Sequence, residues 1–408
     1  MNNMDLIKQM PEMLSGKELY ERLADIPAYD ETIREKSQTE RLMALSTLYD
    51  IYLPSEMSVE IYSKLYLALL RSLQKKGTHA AVQQLYQNHK TIMQRESRGI
   101  IGGSDSFSIV GCSGIGKSSA INRAISIITE NKMIEIEKPM IRIIPCLIVQ
   151  CPWDASVKSM LLEILRKCDE LLETNYYENA LKKRNTTDIL IGIVSQVALQ
   201  HIGLLVIDEI QNCVASKNGR GLVAMLTQLI NSSGISIGLV GTLETIPLFE
   251  SAFHLARRSL GLQYDTLDND DYFYMICKVL LKYQYVQNKT EISQNILEWL
   301  YEHSNGIVSI VVSLIHDAQE IAILTGYEML DITMLNQAYD KRVKLLHNYI
   351  RPKINVTKST TKRKIEEKLT TKLNCECAIS DLVQKSKDEN IDIVALFREY
   401  FTVEEIAI

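Results

Sequence analysis

The sequence predicts an α/β fold built on a parallel, doubly wound sheet, and three observations carry that reading. Gly111-Cys-Ser-Gly-Ile-Gly-Lys-Ser118 is a complete G-x-x-x-x-G-K-S phosphate loop between an apolar run at 107–110 and a helix-like run at 119–128. A second apolar run, Gly203-Leu-Leu-Val-Ile207, ends in the adjacent carboxylates Asp208 and Glu209. Around both, strand-like runs alternate with segments of helical periodicity, and strands separated by helices imply a parallel sheet.

Residues 1–103 are rich in Gln, Lys and Leu, with a helical stripe at Ile61, Leu65, Leu69 and Leu73 and little strand signal before Gly102-Gly103. They are read as an N-terminal helical segment. The core is expected over 104–262: strand 106–110, phosphate loop, helix, strand 143–149, helices 155–172 and 187–200, strand 203–208, helix 219–232 and strand 235–240. Residues 263–350 look helical throughout (268–284, 292–303, 307–325, 331–349) and suggest a lid-like helical domain. Pro352 opens a tail, 351–408, that is basic then acidic: 351–372 carry eight Lys/Arg against two Glu, and 373–408 carry three basic and eight acidic residues. Such a split tail reads as a tether ending in a docking helix around Ile391–Phe401.

Composition sets outer bounds. The chain has 408 residues and net charge −5, which suits two or three soluble domains and argues against a generic polycation. Its eight cysteines are scattered and no secretory leader precedes them, so reduced thiols in a cytoplasmic protein are expected. Cys375 and Cys377 lack a second pair, which argues against zinc. No run of about 18 apolar residues is evident, so no membrane partner is expected.

The phosphate loop (Gly111, Cys112, Ser113, Gly114, Ile115, Gly116, Lys117, Ser118 and Ser119) is expected to bind ATP. Triphosphate oxygens need many short N–H donors, which glycines allow, and the helix N-terminus adds its positive dipole end. Lys117 is the mobile cation, and Ser118 completes an Mg²⁺ shell with Asp208. Glu209 orients and deprotonates the attacking water, so the acidic pair divides metal and base roles. The pair argues for hydrolysis over transfer to a small acceptor. Ser236-Ile-Gly-Leu-Val-Gly-Thr242 is another buried strand, ending in a residue placed to sense phosphate or water. Beyond it, Arg257 and Arg258 offer an arginine finger to a neighbouring subunit; adjacent helical residues face about 100° apart, so one of the two reaches across. Tyrosines and isoleucines upstream of Gly111 are candidates for the adenine pocket.

The order of phosphate loop, Leu-Leu-Val-Ile-Asp-Glu-Ile-Gln211, Leu-Val-Gly-Thr242 and Ala-Arg-Arg258 resembles the AAA+ ATPases of transposons, the TnsC/TniB family. The likeness runs from about residue 35 to 350 and includes the leading stretch Arg41–Pro54. It implies an ATP-dependent regulator of bacterial origin that forms a homo-oligomer, a ring or a helical filament, on double-stranded DNA. It also implies a target-selection protein that signals to it and transposase subunits that it recruits. In one departure, Ser304-Asn-Gly-Ile-Val-Ser-Ile310 lacks the arginine that many AAA+ lids present to the nucleotide. Lys158, Lys182, Lys183 and Arg184 lie in segments that resemble the DNA-facing ones of family filaments; they would pair with phosphates without reading bases. Two other readings stand beside this one: a replication initiator or helicase-loader ATPase, and an ATP-ordered DNA scaffold with incidental hydrolysis.

Overall fold

In the computed structural model, β1 (Ser106–Gly111), β3 (Met140–Gln150), β4 (Ile202–Asp208), β5 (Ser236–Gly241) and β6 (Leu262–Tyr264) run parallel, and β2 (Ile134–Glu137) pairs antiparallel with β3. Their spatial order is β2-β3-β4-β5-β1-β6. The structure describes residues 6–94, 99, 101, 106–137, 140–182, 185–247 and 261–343. The sensor strand β5 therefore lies between the phosphate-loop strand β1 and the Asp-Glu strand β4, and all three release their C-terminal ends at one edge. That edge is where open α/β sheets place ligands.

The four strands expected from hydrophobic runs are present. Two more were not anticipated. Ile134-Glu-Ile-Glu137 is a four-residue edge strand with an alternating pattern, and Leu262–Tyr264 has only three residues, too few to show a period. A short helix, Tyr176–Lys182, was also missed.

Alternate residues of each central strand enter opposite cores, as the pleat requires. Leu205 and Ile207 of β4 join a cluster with the helices Val157–Leu172, Thr187–His201 and Gly219–Ser233. Leu204 and Val206 point the other way, into a cluster with the helices Glu56–Lys76 and Lys117–Thr129. Burial on both faces explains why β4 reads as an unbroken apolar run. Each such Leu, Ile or Val contributes roughly 1.5–3 kcal/mol. The stripe Ile61, Leu65, Leu69 and Leu73 lands in this second cluster, and its helix starts at a capping box of Ser55 and Ser58.

At the end of that helix Lys76 is buried, and its Nζ donates to the carbonyls of Ala198 (2.9 Å) and Leu199 (2.5 Å). Burial pushes its pKa down to about 7. A neutral amine has the two hydrogens that these two acceptors need. In the unfolded chain a lysine titrates near about 10.4, so above pH 7 the unfolded state binds the extra proton. Stability should then rise with pH, by about 1.4 kcal/mol per unit, across roughly pH 7 to 10. Urea midpoints at several pH values check this; Lys76→Met should flatten the rise, and an identical slope in that variant would sink the assignment.

A third cluster gathers the helices Asp271–Leu280, Gln294–Ser304, Val308–Thr325 and Ile332–Ala338 around Phe273, Leu297, Leu314 and Leu335. Leu45 and Leu48 from the first hundred residues complete it. Arg41, 2% exposed, donates to both carboxylate oxygens of Glu328 (2.6 and 2.7 Å) and to Tyr285 O (3.0 Å). The guanidinium holds the Glu328 carboxyl below its usual range. Contrary to the sequence expectation, one helix among the described residues, Val308–Thr325, is long and apolar enough to cross a membrane by length and composition. It is the central helix of this cluster, with Val311, Leu314, Ile315 and Ala318 buried.

The described cysteines are all free. Arg257, Arg258, Lys183, Arg184, residues 344–349 of the last expected helix and the whole tail lie outside the described residues.

Candidate nucleotide site

The site begins with backbone geometry. Gly114 and Gly116 have φ of 80° and 97°, which side-chain-bearing residues rarely adopt. A Cβ on Gly114 would also lie 2.2 Å from Ser309 Oγ. These turns carry the chain from the end of β1 directly into the helix Lys117–Thr129, so its free N–H groups face the loop. Ile115 is buried and anchors the loop, while Ser113, Ser118 and Ser119 are exposed.

Lys117 is 9% exposed, and its Nζ donates to Gly111 O (2.8 Å) and Cys112 O (2.7 Å). Burial lowers its pKa, with Cys112, Asp208 and Glu209 opposing the shift. Asp208 lies at the end of β4, where its Oδ2 accepts from Ser118 Oγ at 3.3 Å and its Oδ1 from Glu209 N at 2.8 Å. Glu209 is exposed, in the left-handed region at φ 58°. Strain of that kind in a bulky residue clusters at functional sites.

Thr242 follows β5. Its N–H donates to Gln211 Oε1 at 3.4 Å, and Gln211 Nε2 donates to the Glu209 carboxylate. The Thr242 hydroxyl is buried and has no hydrogen-bond partner among the described residues. A polar atom left so at a strand end suits a ligand or water oxygen. The donor set fits ATP with Mg²⁺: Lys117 and the loop amides would hold phosphate, Ser118 and Asp208 would offer a hard oxygen pair, and Thr242 keeps an unused hydroxyl among the described residues.

Three contributors escaped the sequence reading. Gln211 stood in the Asp-Glu-Ile-Gln run, yet its bridge from Glu209 to Thr242 depends on two strands being aligned. Ser309 opens the helix Val308–Thr325 and donates its N–H to Gly114 O at 3.1 Å, so a serine and a helix N-terminus sit against the loop. A cleft of about 450 Å³ borders the loop's helix, lined by Tyr49, Ile51, Tyr52, Ser119, Asn122 and Arg123. The Arg123 guanidinium stacks 4.6 Å from the Tyr52 ring and pairs with Asp25 at 2.9 Å.

The candidate DNA cations are less concentrated. Lys158 is exposed in the first turn of the helix Val157–Leu172. Lys182 ends the helix Tyr176–Lys182 and pairs with Glu178 at 3.2 Å on the surface.

The family model described as bacterial TniB protein matches residues 74–260. The matched stretch holds the phosphate loop, Asp208, Glu209 and Thr242, on a mostly parallel sheet flanked by helices. No curated protein matches the chain. Among solved structures, it is similar to the Aeropyrum pernix ORC2 protein in its ADPNP-ADP complexes, at 14% identity and TM-score 0.40 over 78% of each chain. It is also similar to Drosophila ORC bound to DNA, at 12% identity and TM-score 0.44 over 97% of this chain and 85% of the other. A third likeness is to the Thermotoga maritima RuvB Holliday junction branch migration motor, at 13% identity and TM-score 0.35, covering 78% and 84%. TniB is a bacterial family.

Proposed function

We propose that this chain is a cytoplasmic, ATP-hydrolysing regulator of DNA transposition that oligomerises on double-stranded DNA and links target selection to transposase recruitment. The observation that carries the reading is the convergence of Lys117, Ser118, Asp208, Glu209 and Thr242 at one sheet edge within a TniB stretch.

Bound ATP and Mg²⁺ supply the scissile anhydride and the charge that offsets its negative oxygens. The chain's residues do the rest. Lys117 would exchange its two carbonyl partners for phosphate oxygens, and Ser118 with Asp208 would hold the metal's oxygen shell. Glu209 takes the proton of the attacking water at a carboxylate oxygen once Gln211 releases it, and the Thr242 hydroxyl orients that water. Because Gln211 touches both groups, it couples the base to the sensor strand. Arg257 or Arg258 of a neighbouring copy completes the charge balance. The cleft beside Tyr52 and Arg123 is the place we assign to the adenine ring of the nucleotide. Lys158, Lys182, Lys183 and Arg184 contact DNA phosphates, which makes binding independent of sequence and sensitive to salt.

Light scattering and electron microscopy with duplex DNA test the reading, comparing ATP, a non-hydrolysable analogue and ADP. Rings or filaments should grow only with duplex and triphosphate together. A protein that stays monomeric on DNA under every nucleotide would remove the basis for oligomerisation and for the arginine finger.

A further inference from the structure

Trp153 stands in water, 85% exposed, whereas Trp299, the other tryptophan, is 9% exposed and stacked 3.8 Å from His303. Its loop is nevertheless well held. Cys151 N donates to Asp208 O (2.8 Å), Ala155 N to Pro152 O (2.9 Å) and Ser156 N to Asp154 Oδ1 (3.0 Å), and Ala155 is fully buried. Asp154 O accepts from Ser216 Oγ (2.6 Å) and Asn218 Nδ2 (3.1 Å), which ties the loop to the start of the helix Gly219–Ser233. An exposed indole on a fixed platform has no packing role among the described residues.

Its surroundings are cationic. Lys217 lies between the two residues that grip Asp154, Lys158 is in the first turn of the helix leaving the loop, and Arg220 is in the first turn of the helix Gly219–Ser233. All three are exposed and form no ion pair among the described residues. Both helices also present their positive dipole ends here. Asp154, the acid in the loop, is engaged by the Ser156 amide. A flat aromatic surface flanked by unpaired cations complements a polyanion that carries aromatic faces, which is a nucleic acid.

We propose that Trp153 stacks on a DNA base at weakened steps while Lys158, Lys217 and Arg220 hold the flanking phosphates, so that the protein prefers duplex sites that unstack easily. This rests on the DNA-binding reading above and adds to it a criterion for choosing sites. Opening a step costs least where pairing is already faulty, and the stacking gained is the same everywhere, so the difference appears as preference.

The full chain with a non-hydrolysable ATP analogue is titrated against a short duplex and the same duplex with a central mismatch, in wild type, Trp153→Ala and Trp153→Phe. Wild type should bind the mismatched duplex roughly tenfold more tightly. Trp153→Ala should lose that preference while keeping intact-duplex binding, and Trp153→Phe should retain most of it. Emission from buried Trp299 verifies that Trp153→Ala is folded. Equal affinity for both duplexes, or a preference that survives Trp153→Ala, overturns the inference and leaves the DNA reading standing. Failure to bind any duplex removes the DNA reading itself and this inference with it. An indole emission shift that follows protein concentration without DNA assigns Trp153 to an interface with a second copy, and also overturns it.

Discussion

Glu209→Gln is expected to slow ATP hydrolysis by about 10²–10⁴-fold, with ATP binding and DNA-dependent assembly intact. Glutamine keeps the shape and hydrogen-bonding capacity of the side chain but cannot take the proton of water. The residue sits one position beyond the end of β4, exposed, with its backbone in the left-handed region and its carboxylate engaged by Gln211. Neither the strand nor the loop depends on its charge, so the loss should fall on turnover alone. If hydrolysis dismantles the assembly, Glu209→Gln complexes should persist after ATP is diluted, as followed by light scattering. Normal turnover would remove Glu209 as the base, and normal transposition regulation alongside lost turnover would support a scaffold whose hydrolysis is incidental.

Lys117→Ala should weaken triphosphate binding on the order of 100-fold, the effect of losing one or two charge-assisted hydrogen bonds to phosphate. In the structure the Lys117 ammonium is buried over the loop, and its hydrogen bonds among the described residues go to the carbonyls of Gly111 and Cys112. Two neutral acceptors are weak partners for a buried cation, and phosphate oxygens are strong ones. Alanine leaves Gly114, Gly116 and the helix start in place, so the loop should survive. Titration with a fluorescent ATP analogue reads the affinity, with thermal unfolding as the control for folding. Affinity within threefold of wild type would mean that the triphosphate is held elsewhere.

Much of this site was legible before any coordinates. A phosphate loop declares itself because its chemistry is local: glycines, a lysine and a serine at set spacing can act only if strand, turn and helix follow one another. β4 declares itself because burial on both faces leaves no polar position until Asp208. Gln211 and Ser309 were not legible, since their contacts to Glu209, Thr242 and Gly114 join segments that are distant in sequence. Trp153 was not legible either, since nothing in its neighbours in sequence tells whether an indole is covered. The two weakest strands escaped because three or four residues carry too little period to separate from a turn.

The first hundred residues show the division most clearly. Their helical stripe, Ile61 to Leu73, was plain from periodicity, but a period states which face is apolar and not what covers it. Tertiary packing sends that stripe onto the sheet with Phe107 and Ile109, and sends Leu45 and Leu48 into the helical cluster that also holds Phe273 and Leu314. Arg41 finds Glu328 across 287 positions of chain. The central strands, the phosphate loop and the acidic pair are written in the order of residues, because local backbone geometry and two-sided burial set each of them. Which side chains meet around Glu209 and which indole stays in water follow from packing instead, because those outcomes depend on how separately specified surfaces cover one another.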